Sequence, residues 1–270
     1  MALPNLAQRL ISAVVALPLI GALILWQQPW GFGALVLVVA AIGLHEYAAI
    51  ALAGASARLR AGVVVLGVGL TAGLYALPAF AMVWLLAAFV GTATLVLLNP
   101  GDIPGAGGRL GLAAFGVFYL GLLCAPMAIL QRDAAHGRAW VLMAIALTFG
   151  NDTGAYFAGR GLGRHKLYPA VSPAKTVEGA IGGMLAGLLI MLGAKATFVP
   201  WLTVGDCLLA ALPAGVIGPI GDLVESLIKR AFGVKDSGKL IPGHGGMLDR
   251  IDALLFVSAW LYVYTLYLRG

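Results

Sequence analysis

The sequence predicts an all-α fold, a polytopic integral membrane bundle of about nine transmembrane helices. Three observations carry that expectation. Of 270 residues, 61% are apolar and only 10% are charged. A soluble domain carries about 25% charged residues, so most of this surface must face lipid. Nine apolar runs approach the roughly 20 residues that a bilayer crossing takes. The charges, finally, collect in segments between those runs. This composition excludes a disordered chain, a coiled coil and an ordinary soluble enzyme.

The expected spans are 10–26, 31–53, 61–77, 79–98, 110–130, 139–158, 177–195, 205–228 and 251–268. The first follows Arg9 as a secretory signal would. Trp26-Gln27-Gln28-Pro29-Trp30 stands where a small-residue cleavage site should be, so the run is expected to be retained. The third and fourth runs are separated by little more than Leu77-Pro78, which leaves two spans or one re-entrant hairpin open. No internal repeat is detectable. Residues 1–130 read as mostly lipid-facing scaffold. Residues 131–270 read as the catalytic region, since all six lysines lie at or after Lys166. Cys124 and Cys207 sit in apolar runs without CxxC spacing and read as small core residues.

Charge sidedness orients the bundle. With the N-terminus in the cytoplasm, nine spans leave 13 of the 17 Lys and Arg residues inside. Only Arg132, Arg138, Lys195 and Arg269 fall outside, in keeping with the positive-inside rule. The C-terminus is then outside, and the basic loops 159–176 and 229–250 share the cytoplasmic face. Topology thus accounts for the net charge of +6, and no nucleic-acid partner is expected.

A carboxylate in a bilayer core costs about 2.5–3.5 kcal/mol on insertion scales. Glu46, Asp152, Glu178, Asp222 and Glu225 are therefore suspects for function, and the last four lie beside the basic loops. In the eighth run Asp222, Glu225, Ser226 and Lys229 are spaced i, i+3, i+4 and i+7, which puts them on one helix face. Glu225 and Lys229 could equally form a plain ion pair. Lys175 and Glu178 could also simply pair, and Arg160, Arg164 and Lys166 could be topology markers. Glu46, beside His45, divides evenly between a structural pair and a cavity wall. Ser172-Pro173 reads as the start of the seventh helix.

The segment from Lys235 to Asp252 is glycine-rich and densely charged. Gly243, Gly245 and Gly246 flank His244 and would let backbone amides approach a ligand. Asp249 and Asp252 open the ninth helix, where an acid is also a natural cap. With Asp222 they supply hard oxygen donors beside Lys and Arg, the setting of Mg²⁺ with phosphates. Gly233 to Lys239 matches GxxxxGK, but Leu240 follows where Ser or Thr should bind metal, and no strand precedes it. The match is chance.

Ser226-x-Ile228-Lys229-Arg230, then Lys235-Asp236-x-Gly238, then Leu240-x-Pro242-Gly243-His244-Gly245-Gly246-x-x-Asp249-Arg250-x-Asp252 resembles the signature of the phosphatidate cytidylyltransferases, or CDP-diacylglycerol synthases. No departure occurs across these 27 residues, a tenth of the chain. Asn151-Asp152 through Gly163, and Ser172-Pro173-x-Lys175-Thr176-x-Glu178-Gly179, resemble the family too. Ala174 departs from it, standing where a second lysine is common.

The resemblance implies conversion of phosphatidate and CTP to CDP-diacylglycerol and pyrophosphate, in phospholipid biosynthesis. It implies Mg²⁺ with room for a second cation, a homodimer, and a cytoplasm-facing site in the bacterial inner membrane. It makes Asp222 and Asp249, with Asp252, the metal ligands. Lys229, Arg230, Lys235, Lys239 and Arg250 become candidates for the two phosphate substrates. Ser226 and His244 become candidates for positioning or protonating pyrophosphate, and Asp236 completes the catalytic set. Asn151, Asp152, Ser172, Lys175, Glu178, Gly245 and Gly246 become candidates for substrate binding. A CTP-dependent polyprenol or phytol kinase is the alternative, distinguished by its products. A cation-coupled transporter is more remote, because it would more typically show inverted repeats.

Overall fold

The computed structural model describes residues 14, 18–238, 240 and 245–269. Among them, seven helices are long and apolar enough to cross a membrane. In chain order the long helices are α1 (Pro29–Ala51), α2 (Ala57–Ala76), α3 (Ala81–Leu98), α4 (Ile103–Asp133), α5 (Gly137–Leu162), α6 (Val177–Thr197), α7 (Val204–Ala231) and α8 (Leu248–Leu268). The all-α expectation holds, and seven expected spans correspond to these apolar helices. Much of the first, 10–26, lies outside the described residues, although 18–25 are helical. The sixth, 139–158, is α5; Asn151, Asp152 and Thr153 interrupt its apolar sequence and leave it outside the apolar set.

Local chemistry sets the boundaries. Pro29 opens α1, where a missing N–H costs nothing. Ser56 caps α2 by accepting from the Leu59 N–H at 3.1 Å. Leu77 and a short turn at Pro78–Phe80 end that helix, because proline cannot continue the ladder. Residues 57–98 are thus two helices joined by a tight turn, each long enough to span. Asp102 caps α4 through the Gly105 N–H and pairs with Arg109 at 2.6 Å. The Arg109 hydrogen bond, with that cap, holds the Asp102 carboxyl below its usual range. Within α4 the chain widens to a π-turn at Val117–Leu122. There the Gly121 carbonyl accepts from Thr71 Oγ1 at 2.7 Å, and a Cβ at Gly121 would strike the Gly67 backbone.

Between α5 and α6 lies a two-stranded antiparallel hairpin, β1 (Lys166–Tyr168) and β2 (Ser172–Thr176). This corrects the expected helix start: Ser172 and Pro173 lie in β2, and α6 begins at Val177. Thr176 is its cap, accepting from the Gly179 N–H at 3.1 Å. Helices α5 and α6 cross closely at small residues. A Cβ at Gly183 would lie 2.6 Å from the Asn151 carbonyl, and one at Gly179 2.9 Å from that of Ala155.

The start of α7 is a reciprocal capping box: Thr203 Oγ1 accepts from the Asp206 N–H, and Asp206 Oδ2 accepts from the Thr203 N–H. Asp206 also receives Tyr264 Oη at 2.5 Å and Arg269 Nε at 2.9 Å. The Arg269 guanidinium lies 4.8 Å over the Trp201 ring.

The chain divides into two compact units that are not consecutive halves. One comprises Met1–Ile129 with Ala231–Arg250; the other comprises Leu130–Arg230 with Ile251–Gly270. The first therefore gathers part of the glycine-rich signature with the N-terminal helices.

Candidate functional site

In the second unit a cavity of about 400 Å³ opens beside the hairpin. Asn151, Asp152 and Arg160 come to it from α5, Lys175 and Thr176 from β2, and Asp222 from α7. Its size falls within the usual range of small-molecule pockets. Lys175 Nζ stands 2.7 Å from Asp222 Oδ2. Both side chains keep a quarter to a third of their surface exposed, so the pair is available to a ligand.

This pairing closes the alternative in which Lys175 simply pairs with Glu178. That contact assumed i,i+3 neighbours on a helix, but Lys175 lies in a strand and only Glu178 is helical. Glu178 instead accepts from the Arg164 N–H at 3.0 Å and meets His165 Nδ1 at 2.6 Å. Its carboxylate closes the turn that leads into the hairpin. Arg230 reaches the hairpin as well, donating from Nε to the Val171 carbonyl at 3.5 Å. Ser172 is half-buried in β2, while Arg160, Arg164 and Lys166 are exposed.

The polar stripe of α7 is internally matched. Ser226 Oγ donates to Asp222 Oδ1 at 3.2 Å, and Lys229 Nζ lies 2.5 Å from Glu225 Oε2. Glu225 is 1% exposed and Lys229 is 12% exposed, so the latter pair is a buried one. Asp252 lies in the field of Asp222, Asp152 and Lys229, and its Oδ1 accepts from the Ala253 N–H at 2.8 Å. Asn151 is buried, and among the described residues neither polar atom of its amide has a hydrogen-bond partner.

The first unit holds the remaining described signature residues. Asp249 Oδ2 accepts from the Ser237 N–H at 2.9 Å and the Gly246 N–H at 2.8 Å, and it shares the single proton of Ser237 Oγ, 2.9 Å away, with Glu46. One oxygen of this acid is thus occupied in tying Ser237 and Gly246 to the first turn of α8. Glu46, from α1, accepts from Ser237 Oγ, the Met247 N–H and the Leu248 N–H. Gly245 has a positive φ of 84°, which a side chain would oppose. Lys235, Asp236 and Arg250 are exposed. Lys239 and His244 lie outside the described residues, as do Pro242 and Gly243.

Ser237 was not evident from the sequence, and Glu46 was a suspect whose partners were not. Ser237 occupies a position that the signature leaves open. Glu46 was marked only by being an acid inside an apolar run, with no sign of its partner 191 residues away.

Among the described residues, no three acidic, histidine or cysteine side chains stand together as a self-sufficient metal site. Mg²⁺ is usually held by one or two carboxylates together with substrate phosphates and water. The hard oxygens of Asp222, Asp152 and Asp252, with cations adjoining, are the right donor chemistry.

A family model described as the cytidylyltransferase family matches residues 7–268. The chain is similar to proteins named phosphatidate cytidylyltransferase. One from Staphylococcus epidermidis is 45% identical over 129 residues, 48% of this chain and 50% of that one. One from Brucella suis is 43% identical over 157 residues, 57% of each chain. One from Staphylococcus aureus is 41% identical over 156 residues, 56% of this chain and 58% of that one. The chain thus spans about half the length of the curated relatives it matches.

Proposed function

The chain belongs to the cytidylyltransferase family, and from that premise we propose that it converts phosphatidate and CTP to CDP-diacylglycerol and pyrophosphate. One observation carries the reading: within a chain matched almost throughout by that family, a cavity joins Lys175 to Asp222 beside Asp152 and Arg160.

The chemistry asks for what these residues supply. A phosphate oxygen of phosphatidate attacks the α-phosphorus of CTP, the bond to the β-phosphate breaks, and pyrophosphate leaves with the electron pair. The nucleophile is already ionised, so no protein nucleophile is required. Two anions must meet, and phosphoryl-type transfer is mainly positioning and charge stabilisation. Lys175 and Arg160 draw phosphate into the cavity. Asp222 fixes the Lys175 ammonium and, through Ser226, its own carboxylate orientation. Lys229, Arg230, Lys235 and Arg250 add positive charge. Asp222 and Asp252 would hold Mg²⁺, which when bound would neutralise phosphate charge; Asp249 is a candidate ligand by the family resemblance alone.

The protein works as a homodimer in the bacterial cytoplasmic membrane, with loops 159–176 and 229–250 in the cytoplasm. The 13-to-4 distribution of positive charge supports that orientation. The test is incubation of the purified protein with phosphatidate, labelled CTP and Mg²⁺. A labelled CDP-lipid with pyrophosphate supports the reading. Release of CDP with a phosphorylated polyprenol or phytol acceptor would replace it with the kinase. Chelation should stop the reaction, and Mg²⁺ should restore it.

A further inference from the structure

We propose that Glu46 is a positioning residue of the glycine-rich signature, tying Ser237 to Met247 and Leu248 and so setting where Asp249 stands. Its importance for cytidylyl transfer rests on the reaction proposed above; the clamp itself rests on geometry.

Glu46 is 7% exposed, on a helix otherwise almost wholly apolar. A buried carboxylate is tolerated when donors satisfy it. Both of its oxygens are occupied from the far end of the chain. Oε1 accepts from the Met247 N–H at 3.0 Å, and Oε2 accepts from Leu248 N–H at 2.9 Å and Ser237 Oγ at 3.0 Å. Met247 and Leu248 open α8, where N–H groups lack intrahelical acceptors and the dipole favours an anion. The acid therefore caps α8 from a distant helix while gripping Ser237, eleven residues upstream of Leu248. Asp249 ties the same two ends from the other side, through Ser237 and the Gly246 N–H.

The clamp also accounts for two glycines of the signature. A Cβ at Gly238 would collide with Glu46 Oε1. One at Gly246 would lie 2.5 Å from Glu46 Oε2 and would collide with Ser237 Oγ. The backbone must run against the carboxylate, and only glycine permits that approach.

The donor pattern separates a carboxylate from its amide. Each oxygen faces a backbone N–H, so glutamine would present its NH₂ to a donor whichever way it turned. Glu46→Gln should therefore open the clamp at nearly unchanged volume. Glu46→Asp should loosen it less, withdrawing the charge by about 1.5 Å, one carbon–carbon bond. Misplacement by about an ångström can cost on the order of 10²-fold in rate. Glu46→Gln should lower kcat to that extent, with the KM for CTP within about threefold of wild type. Glu46→Asp should fall between the two.

Two measurements separate positioning from a general contribution to folding. Backbone hydrogen exchange should accelerate in Glu46→Gln at Ser237, Gly246, Met247 and Leu248, with α2 and α3 unchanged. In addition, Gly238→Ala should lose less activity in the Glu46→Asp background than in wild type, because the shortened acid vacates the space of the new methyl. Uniformly faster exchange, or additive losses in the double variant, would overturn the proposal. So would a Glu46→Gln protein with wild-type kcat and exchange. If Glu46→Gln does not accumulate, Glu46→Asp and Gly238→Ala carry the comparison. If the wild-type protein forms no CDP-lipid, the proposed reaction has failed, and the exchange pattern alone then decides the clamp.

Discussion

Lys175 and Asp222 meet at 2.7 Å across the cavity of the second unit, one from a strand and the other from a proline-containing helix. The contact fixes an ammonium at the place where a phosphate would enter. Asp222→Asn should therefore lower turnover more than tenfold, a loss above ~1.4 kcal/mol of transition-state stabilisation. Lys175→Met should do likewise, and the double variant should be little worse than Asp222→Asn alone. Independent, multiplicative losses would show that the two act separately.

Asp249 has two separable tasks. Asparagine keeps an acceptor for the Ser237 and Gly246 N–H groups, whereas alanine removes it. Asp249→Asn should stay within about 1 kcal/mol of wild-type stability, and Asp249→Ala should lose roughly 1–3 kcal/mol, the usual cost of leaving a buried donor without its acceptor. Both should lose more than nine-tenths of their activity. Thermal unfolding in detergent measured beside turnover checks the split. An active Asp249→Asn would confine this residue to holding Ser237 and Gly246.

Glu225 and Lys229 form a pair too buried for water to rescue either partner alone. Lys229→Met should destabilise strongly, by about 3–5 kcal/mol, because it strands a buried carboxylate. Adding Glu225→Gln should recover folded protein. It should not recover activity if Lys229 binds phosphate, and kcat/KM should remain on the order of 10²-fold low. Recovery of both would make the pair a structural one. Yield and kcat/KM of the single and double variants measure this directly.

The orientation can be tested by labelling. Ser237 is buried and makes a poor reporter, whereas Asp236 is exposed. Asp236→Cys should react with an impermeant maleimide from the cytoplasmic side only. Cys124 and Cys207 are buried and should contribute little background. Labelling from outside intact cells would reverse the assignment.

The sequence was most informative where one physical demand dominated. Lipid requires an unbroken apolar stretch, so the run at 177–195 nearly coincides with α6, Val177–Thr197. The spacing of Glu225 and Lys229 likewise implied their contact, because both lie within one helix. Spacing misled where the element changed: Lys175 sits just before α6, so the helical geometry that would have brought it to Glu178 does not exist. The hairpin was hidden because its strands are only three and five residues long and the turn that leads into them is held by Glu178 from the next helix. Contacts between distant segments left no local mark, and Glu46 is the clearest instance. Its side chain announced a cost, but the compensating donors lie in a part of the chain that no periodicity connects to α1.

The ties of Asp206 impose an order on the birth of this protein. During synthesis α7 is complete long before Tyr264 and Arg269 exist, and Arg269 lies sixty-three residues downstream of Asp206. Until then the acid has only the Thr203 donors at its own helix end. The nascent second unit must carry that half-answered charge while α8 is still being made. Arg269, laid over Trp201, completes the donors around Asp206 and ties α7 to the end of α8.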